Sequence, residues 1–154
     1  MTHTFLPADK KQVLVTGGTG FLGAWIIRQL VLDGYKVRAI KRGTSGLPTF
    51  IEPSVMQQVE WMEGDVLDIA SLYEAMEGTD AVIHSAAVVS FHRADRRNMY
   101  ATNVGGTANV VNLALELGVR RVVHVSSVAA LGRTRQGDVV DESKTWTDSR
   151  VNTH

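Results

Sequence analysis

The sequence predicts an α/β protein built on a parallel, doubly wound sheet of the Rossmann type. Two observations carry this. Short apolar, β-branched runs alternate with helical stretches five strands deep between residues 12 and 126, and such alternation is satisfied by a parallel sheet with helices on both faces. The first run also breaks directly into glycines and then opens a helix. No repeat, low-complexity tract or linker divides the 154 residues, so 1–154 are expected to form one domain.

The elements follow in order. Gln12–Thr16, with Val13-Leu14-Val15, is a compact buried strand. Residues 20–33 form a helix with Phe21, Leu22, Ala24, Trp25, Ile26, Ile27, Leu30 and Val31, leaving Arg28 and Gln29 as a narrow polar stripe. Burial over most of its circumference is therefore expected, Trp25 included. Residues 35–41 give a second strand. Residues 42–57 are a loop with Gly43, Gly46, Pro48 and Pro53 and room for one helical turn. A third strand, 58–62, leads into Gly64-Asp65. Asp68 is placed to N-cap a helix through Leu72, Ala75 and Met76 that ends at Gly78. A fourth strand covers 80–85, a long helix 94–117, and a fifth strand 121–126. The runs 81–89 and 122–125 read as buried strands, far shorter than a bilayer span. Residues 132–154 are polar and lack periodicity.

Composition excludes several classes. Sixteen basic and sixteen acidic residues cancel, which argues against nucleic acid or an anionic membrane surface as partner, since both need excess positive charge. There is no cysteine, so disulfides and thiolate chemistry are absent. The first eleven residues carry Pro7 and Asp9 where a signal peptide needs an apolar run. A cytoplasmic location is the expectation.

The sharpest feature is Thr16-Gly17-Gly18-Thr19-Gly20-Phe21-Leu22-Gly23 between strand and helix. Glycines let the backbone turn sharply and approach a diphosphate. The unpaired amides at the helix start then face the anion, aided by the helix dipole. Gly23 lets the helix pack tightly. In this strand–loop–helix–strand setting the motif predicts a Rossmann-type dinucleotide site. At the end of the second strand an acid would hold a ribose 2′-hydroxyl, whereas a cation accommodates a 2′-phosphate. This chain has Lys41 and Arg42 there, followed by Thr44 and Ser45, and no carboxylate. NADP is the expected cofactor, with NAD as the alternative.

With these motifs in place, residues 11–142 resemble the extended short-chain dehydrogenase/reductase family. The nearest likeness is to its NAD-dependent epimerase/dehydratase group, with dihydroflavonol-reductase-like or 3β-hydroxysteroid-dehydrogenase-like character. The further motifs are Gly64-Asp65-Val66-Leu67-Asp68, Asp80-Ala81-Val82-Ile83-His84-Ser85-Ala86-Ala87, Asn103-Val104-Gly105-Gly106-Thr107, and the run from Val123 through Ser126-Ser127 to Gly132. The resemblance implies that Asp65 and Val66 contact adenine and that the small Ser85, Ala86 and Ala87 let the cofactor lie against the backbone. It implies a catalytic serine at Ser127, which fits the spacing to Gly132 better than its neighbour Ser126, itself assigned to the cofactor. Asn103 is either a cofactor-side residue or a structural amide tying helix to sheet. Gly105-Gly106 costs about 1 kcal/mol per residue against alanine in a helix, so something is expected to approach closely there.

The family's Tyr-x-x-x-Lys motif, whose tyrosine is the acid or base, has no counterpart here. No tyrosine follows Tyr100, and the only later lysine is Lys144. The resemblance therefore implies an N-terminal portion whose sheet is incomplete at the C-terminus, without its sixth strand, and which lacks a C-terminal substrate domain, binds cofactor weakly and turns over nothing alone. A small-molecule substrate is implied for the whole, with homodimer pairing through the 94–117 helix. Three functions stay open: a reductase or dehydrogenase acting on a ketone or secondary alcohol, a nucleotide-sugar epimerase or dehydratase, and an NADP-sensing module without chemistry. No metal is expected, because His84, His92 and His124 lack a ligand spacing. Asp138, Asp141 and Glu142 read as a solvated loop, Trp61 as core and Trp146 as exposed. Arg93, Arg96 and Arg97 crowd a helix start, where cations oppose the dipole.

Overall fold

The computed structural model describes residues 11–131 and Asp141. The expectations for residues 1–10, for Asp138, Glu142, Lys144 and Trp146, and for the rest of the polar tail fall outside the described residues. The chain divides into two units, Met1–His124 and Val125–His154. In the second, Val128–Leu131 form a short 3-10 turn, closed by a bond from Ala130 N–H to Ser127 O at 2.9 Å.

The first unit holds a five-stranded parallel sheet: β1 (Gln12–Thr16), β2 (Lys36–Lys41), β3 (Val59–Glu63), β4 (Ala81–His84) and β5 (Arg121–His124), in the order β3-β2-β1-β4-β5. Helices α1 (Phe21–Leu32), α2 (Pro53–Met56), α3 (Ile69–Met76), α4 (Arg96–Tyr100) and α5 (Thr107–Glu116) connect them. The period-2 alternation of strands builds two cores. Val13, Val15, Val37, Ala39, Ala81 and Ile83 pack with α1 and α2 on one face. Leu14, Ile40 and Val82 pack with α3 and α5 on the other. Both faces of β1 are thus apolar because both are covered.

Local predictions hold at the ends. Asp68 accepts from Ala70 N–H at 3.2 Å and caps α3. The single helical turn in the loop is α2, with Pro53 at its start. Arg38, on β2, donates to the carbonyls of Ala75 and Glu77, both at 2.9 Å, and so satisfies the C-terminal end of α3.

Three differences stand out. Helix α1 buries Gly23, Ala24, Ile27 and Leu30, but Phe21, Leu22, Trp25 and Leu32 are exposed. A sheet covers only one stripe of a helix, so an excess of apolar residues must spill onto the other side. Trp25 is consequently not core; the Arg28 guanidinium lies over its ring at 5.4 Å, and Phe21 meets it edge-on at 6.5 Å. Trp61 does pack on the core. The second difference is β5. It is exposed along its length, His124 included, because it pairs with β4 alone among the described residues. The third is the long helix. It is a 3-10 turn at Arg93–Asp95, then α4, a π-helical segment at Ala101–Gly106, and α5.

Candidate functional site

The carboxyl ends of four strands converge on one cleft of about 100 Å³. Gly17 and Thr19 follow β1, Ile40, Arg42 and Ser45 end or follow β2, Gly64, Asp65 and Val66 follow β3, and Ala86, Ala87 and Val88 follow β4, with Thr102 from the π segment. Strand order reverses between β1 and β4, and α/β sheets bind ligands at such a reversal.

The glycine loop is held by contacts no side chain would allow. Gly17 has φ +72°, and a Cβ there would lie 2.6 Å from Ala86 N. A Cβ on Gly23 would overlap the carbonyl oxygen of Gly17, and one on Gly18 would lie 2.6 Å from Ile27 Cδ1. Gly20 N–H donates to Gly17 O at 3.0 Å, and the first bond within α1 runs from Ala24 N–H to Gly20 O. The amides of Phe21, Leu22 and Gly23 precede that bond, and no side chain caps them. A helix start left this way presents its donors to an anion.

Thr16 is fully buried. Its neighbours define a continuous hydrogen-bonded chain. Thr107 Oγ1 donates to Asn103 O at 2.6 Å, so it accepts from His84 Nε2–H at 2.9 Å. His84 Nδ1 then carries a lone pair and accepts from Thr16 Oγ1 at 2.7 Å, while Thr16 Oγ1 accepts from Ala86 N–H at 3.3 Å. Ring and hydroxyls each have one role, and the imidazole is neutral. Burial, and then the charge of His124, lower the His84 pKa from its ordinary value to about 4. The two imidazoles stack with centroids 5.4 Å apart. With both nitrogens committed to threonines, His84 is a strut rather than a metal ligand. Among the described residues no group of three or more metal-binding side chains occurs.

Other candidates of the first unit are held by bonds of their own. Ser85 Oγ donates to Thr16 O at 3.0 Å, locking the β4 exit onto β1. Asn103 engages Val88 at both ends of its amide, accepting from Val88 N–H at 2.8 Å and donating to Val88 O at 2.9 Å. It ties the π segment to the loop that lines the cleft. Asp65 Oδ1 accepts from Leu67 N–H at 2.9 Å, which fixes the turn after β3. Asn109 Nδ2 donates to Val66 O at 3.0 Å, and a Cβ on Gly106 would lie 2.5 Å from Val66 Cγ2. What approaches the Gly105-Gly106 pair is thus the Val66 side chain. Lys41 and Arg42 make no ion pair among the described residues. Ser126 and Ser127 come after β5 in the chain, with Val125 between. Ile40, Val88 and Thr102 were not foreseen as lining residues. Only tertiary packing brings them to the cleft, and none has a residue-type signature.

A parallel sheet with this order, an uncapped glycine-turned helix start and a cleft across the strand ends define an NAD(P)-binding domain of the Rossmann type. The chain belongs to the NAD dependent epimerase/dehydratase family, whose sequence model matches residues 13–152. It is 36% identical over 149 residues to cinnamoyl-CoA reductase 1 of Oryza sativa subsp. japonica, covering 91% of this chain and 42% of that protein. It is 34% identical over 156 residues to a 3 beta-hydroxysteroid dehydrogenase/Delta 5-->4-isomerase of Mycobacterium tuberculosis, covering 96% of this chain and 40% of that protein. Among solved structures, UDP-glucose 4-epimerase from Brucella ovis in complex with NAD aligns with a TM-score of 0.74 at 30% identity, covering 89% of this chain and 42% of that one. The chain thus spans about two fifths of the curated relatives it matches. Among the described residues no helix is long and apolar enough to cross a membrane.

Proposed function

We propose that this chain is the cofactor-holding part of an oxidoreductase that uses NADP in preference to NAD to reduce a ketone or oxidise a secondary alcohol. The observation that carries the cofactor choice is the pair of cations at the end of β2. Arg42 lines the cleft beside Ser45, and neither Arg42 nor Lys41 has a carboxylate partner among the described residues. A 2′-phosphate would meet a guanidinium and a hydroxyl there, and charge-assisted bonds of this kind are the strong ones.

The residues fit the group. The amides of Phe21, Leu22 and Gly23 take the diphosphate, Asp65 and Val66 flank the adenine, and Ala86 and Ala87 leave room along the β4 exit. When bound, the nicotinamide supplies or accepts a hydride. Ser127 is assigned to steady the substrate oxygen, by its place in the run after β5. The reductase and dehydrogenase relatives support this chemistry.

Titration of NADP and NAD into the purified chain tests the reading. NADP is expected to bind about tenfold more tightly, the worth of one charge-assisted contact, with the margin shrinking as salt rises. Equal affinities, or tighter NAD binding, would overturn it in favour of the epimerase-like alternative.

A further inference from the structure

The segment between β2 and α2 carries Arg42 and Ser45 yet has no regular structure of its own from residue 42 to residue 52. Its far end is fastened to α1 at two points. Glu52 takes a forked set of bonds from Arg28: Nε to Oε2 at 2.9 Å, Nε to Oε1 at 3.1 Å, and Nη2 to Oε1 at 2.7 Å. The hydrogen bonds from Arg28 hold the Glu52 carboxyl down to about 2. Two residues earlier, the Phe50 ring stacks on Phe21 at 5.7 Å with 29° between planes, and Ile51 between them is buried in the α1-side core. Phe21 is the first residue of α1 and contributes one of its uncapped amides.

We propose that the Arg28–Glu52 ion pair and the Phe21–Phe50 stack are positioning contacts that set the preference for a 2′-phosphorylated cofactor. They hold the loop at a fixed distance from the amides of α1. One rigid body then carries both phosphate subsites, the diphosphate at the helix start and the 2′-phosphate at Arg42 and Ser45. An untied loop would have to be ordered by the ligand, and that entropy would be lost from binding. The loss falls on NADP alone, because NAD meets α1 and the Asp65–Val66 turn but has no group for Arg42. Neither Arg28 nor Glu52 lines the cleft, so both act through the loop. The inference rests on the NADP reading above.

The test is calorimetric titration of the full chain with NADP and NAD. Arg28→Ala and Glu52→Ala are expected to weaken NADP about fivefold, the scale of a well-formed surface ion pair, and to leave NAD within about twofold. The double variant should be no worse than either single one. The exchange Arg28→Glu with Glu52→Arg should recover most of the preference, and Arg28→Lys, which keeps the charge without the fork, should fall between. Phe50→Leu reports on the stack separately. An equal change for both cofactors, or an unchanged ratio, would sink the positioning role while the NADP reading stands. A native chain with no preference for NADP would sink both, and is recognised before any variant is made.

Discussion

A methyl group added at Gly23 would run into the Gly17 carbonyl, whereas one at Gly20 would lie 3.3 Å from the same oxygen and meet nothing else. The two glycines therefore serve different ends: Gly23 closes the packing of loop on helix, and Gly20 leaves the approach to the amides clear. Gly23→Ala is expected to lower stability by about 1–3 kcal/mol through overpacking, read as the urea midpoint. Gly20→Ala should unfold close to the native midpoint yet bind dinucleotide more weakly. Equal destabilisation by the two would contradict this division. His84 yields a second prediction at the same scale. Its folded pKa, about 4, lies below the ordinary 6.5, so the unfolded chain takes up the proton first. The stability it contributes is complete above pH 6.5 and is lost as pH falls toward 4. The upper bound is about 3 kcal/mol, reduced by screening. Urea unfolding of the native chain and His84→Gln across that window should show a shallower pH slope in the variant; parallel slopes would refute it.

The segment 94–117 illustrates how an element departs from its periodicity. The sequence pattern predicts one regular helix, and the backbone instead widens at Ala101–Gly106. Thr107 bonds back to the Asn103 carbonyl at 2.6 Å, a local competition that perturbs helices, and π segments recur at functional sites. Here the segment brings Asn103 onto Val88 and Thr102 into the cleft. It also brings Gly106 against Val66, close enough that Gly106→Ala must displace the Val66 side chain in the turn after β3. That substitution is expected to cost about 1–3 kcal/mol and to weaken NADP and NAD by the same factor, since the adenine is common to both. A change in their ratio would show that the turn does not carry the adenine. Within β2 and its loop, the opposite holds: changes there should alter the ratio.

At the scale of the whole molecule, the sheet order collects residues from four separate strand ends into one cleft, and most of that was legible beforehand. The strand–helix alternation, the Asp68 cap, the glycine loop and the cations after β2 are local signals. Each follows from what a residue does to its own backbone or charge environment, so a sequence displays them directly. The exposure of Trp25 and of β5 was not legible, because hydrophobicity says that a residue favours burial and not whether a partner surface exists to bury it. The same limit hid the Thr16–His84–Thr107 chain and the Arg28–Glu52 tie. Their partners lie 68, 23 and 24 positions apart, and no periodicity links them. The sequence alone settled the class of fold and singled out the glycine loop as the candidate diphosphate site, since both depend on neighbouring residues. Only the folded chain decided which hydroxyls, amides and carboxylates hold that receptor rigid, since side-chain bonds form between groups that the sheet, and nothing in the linear order, brings within 3 Å of one another.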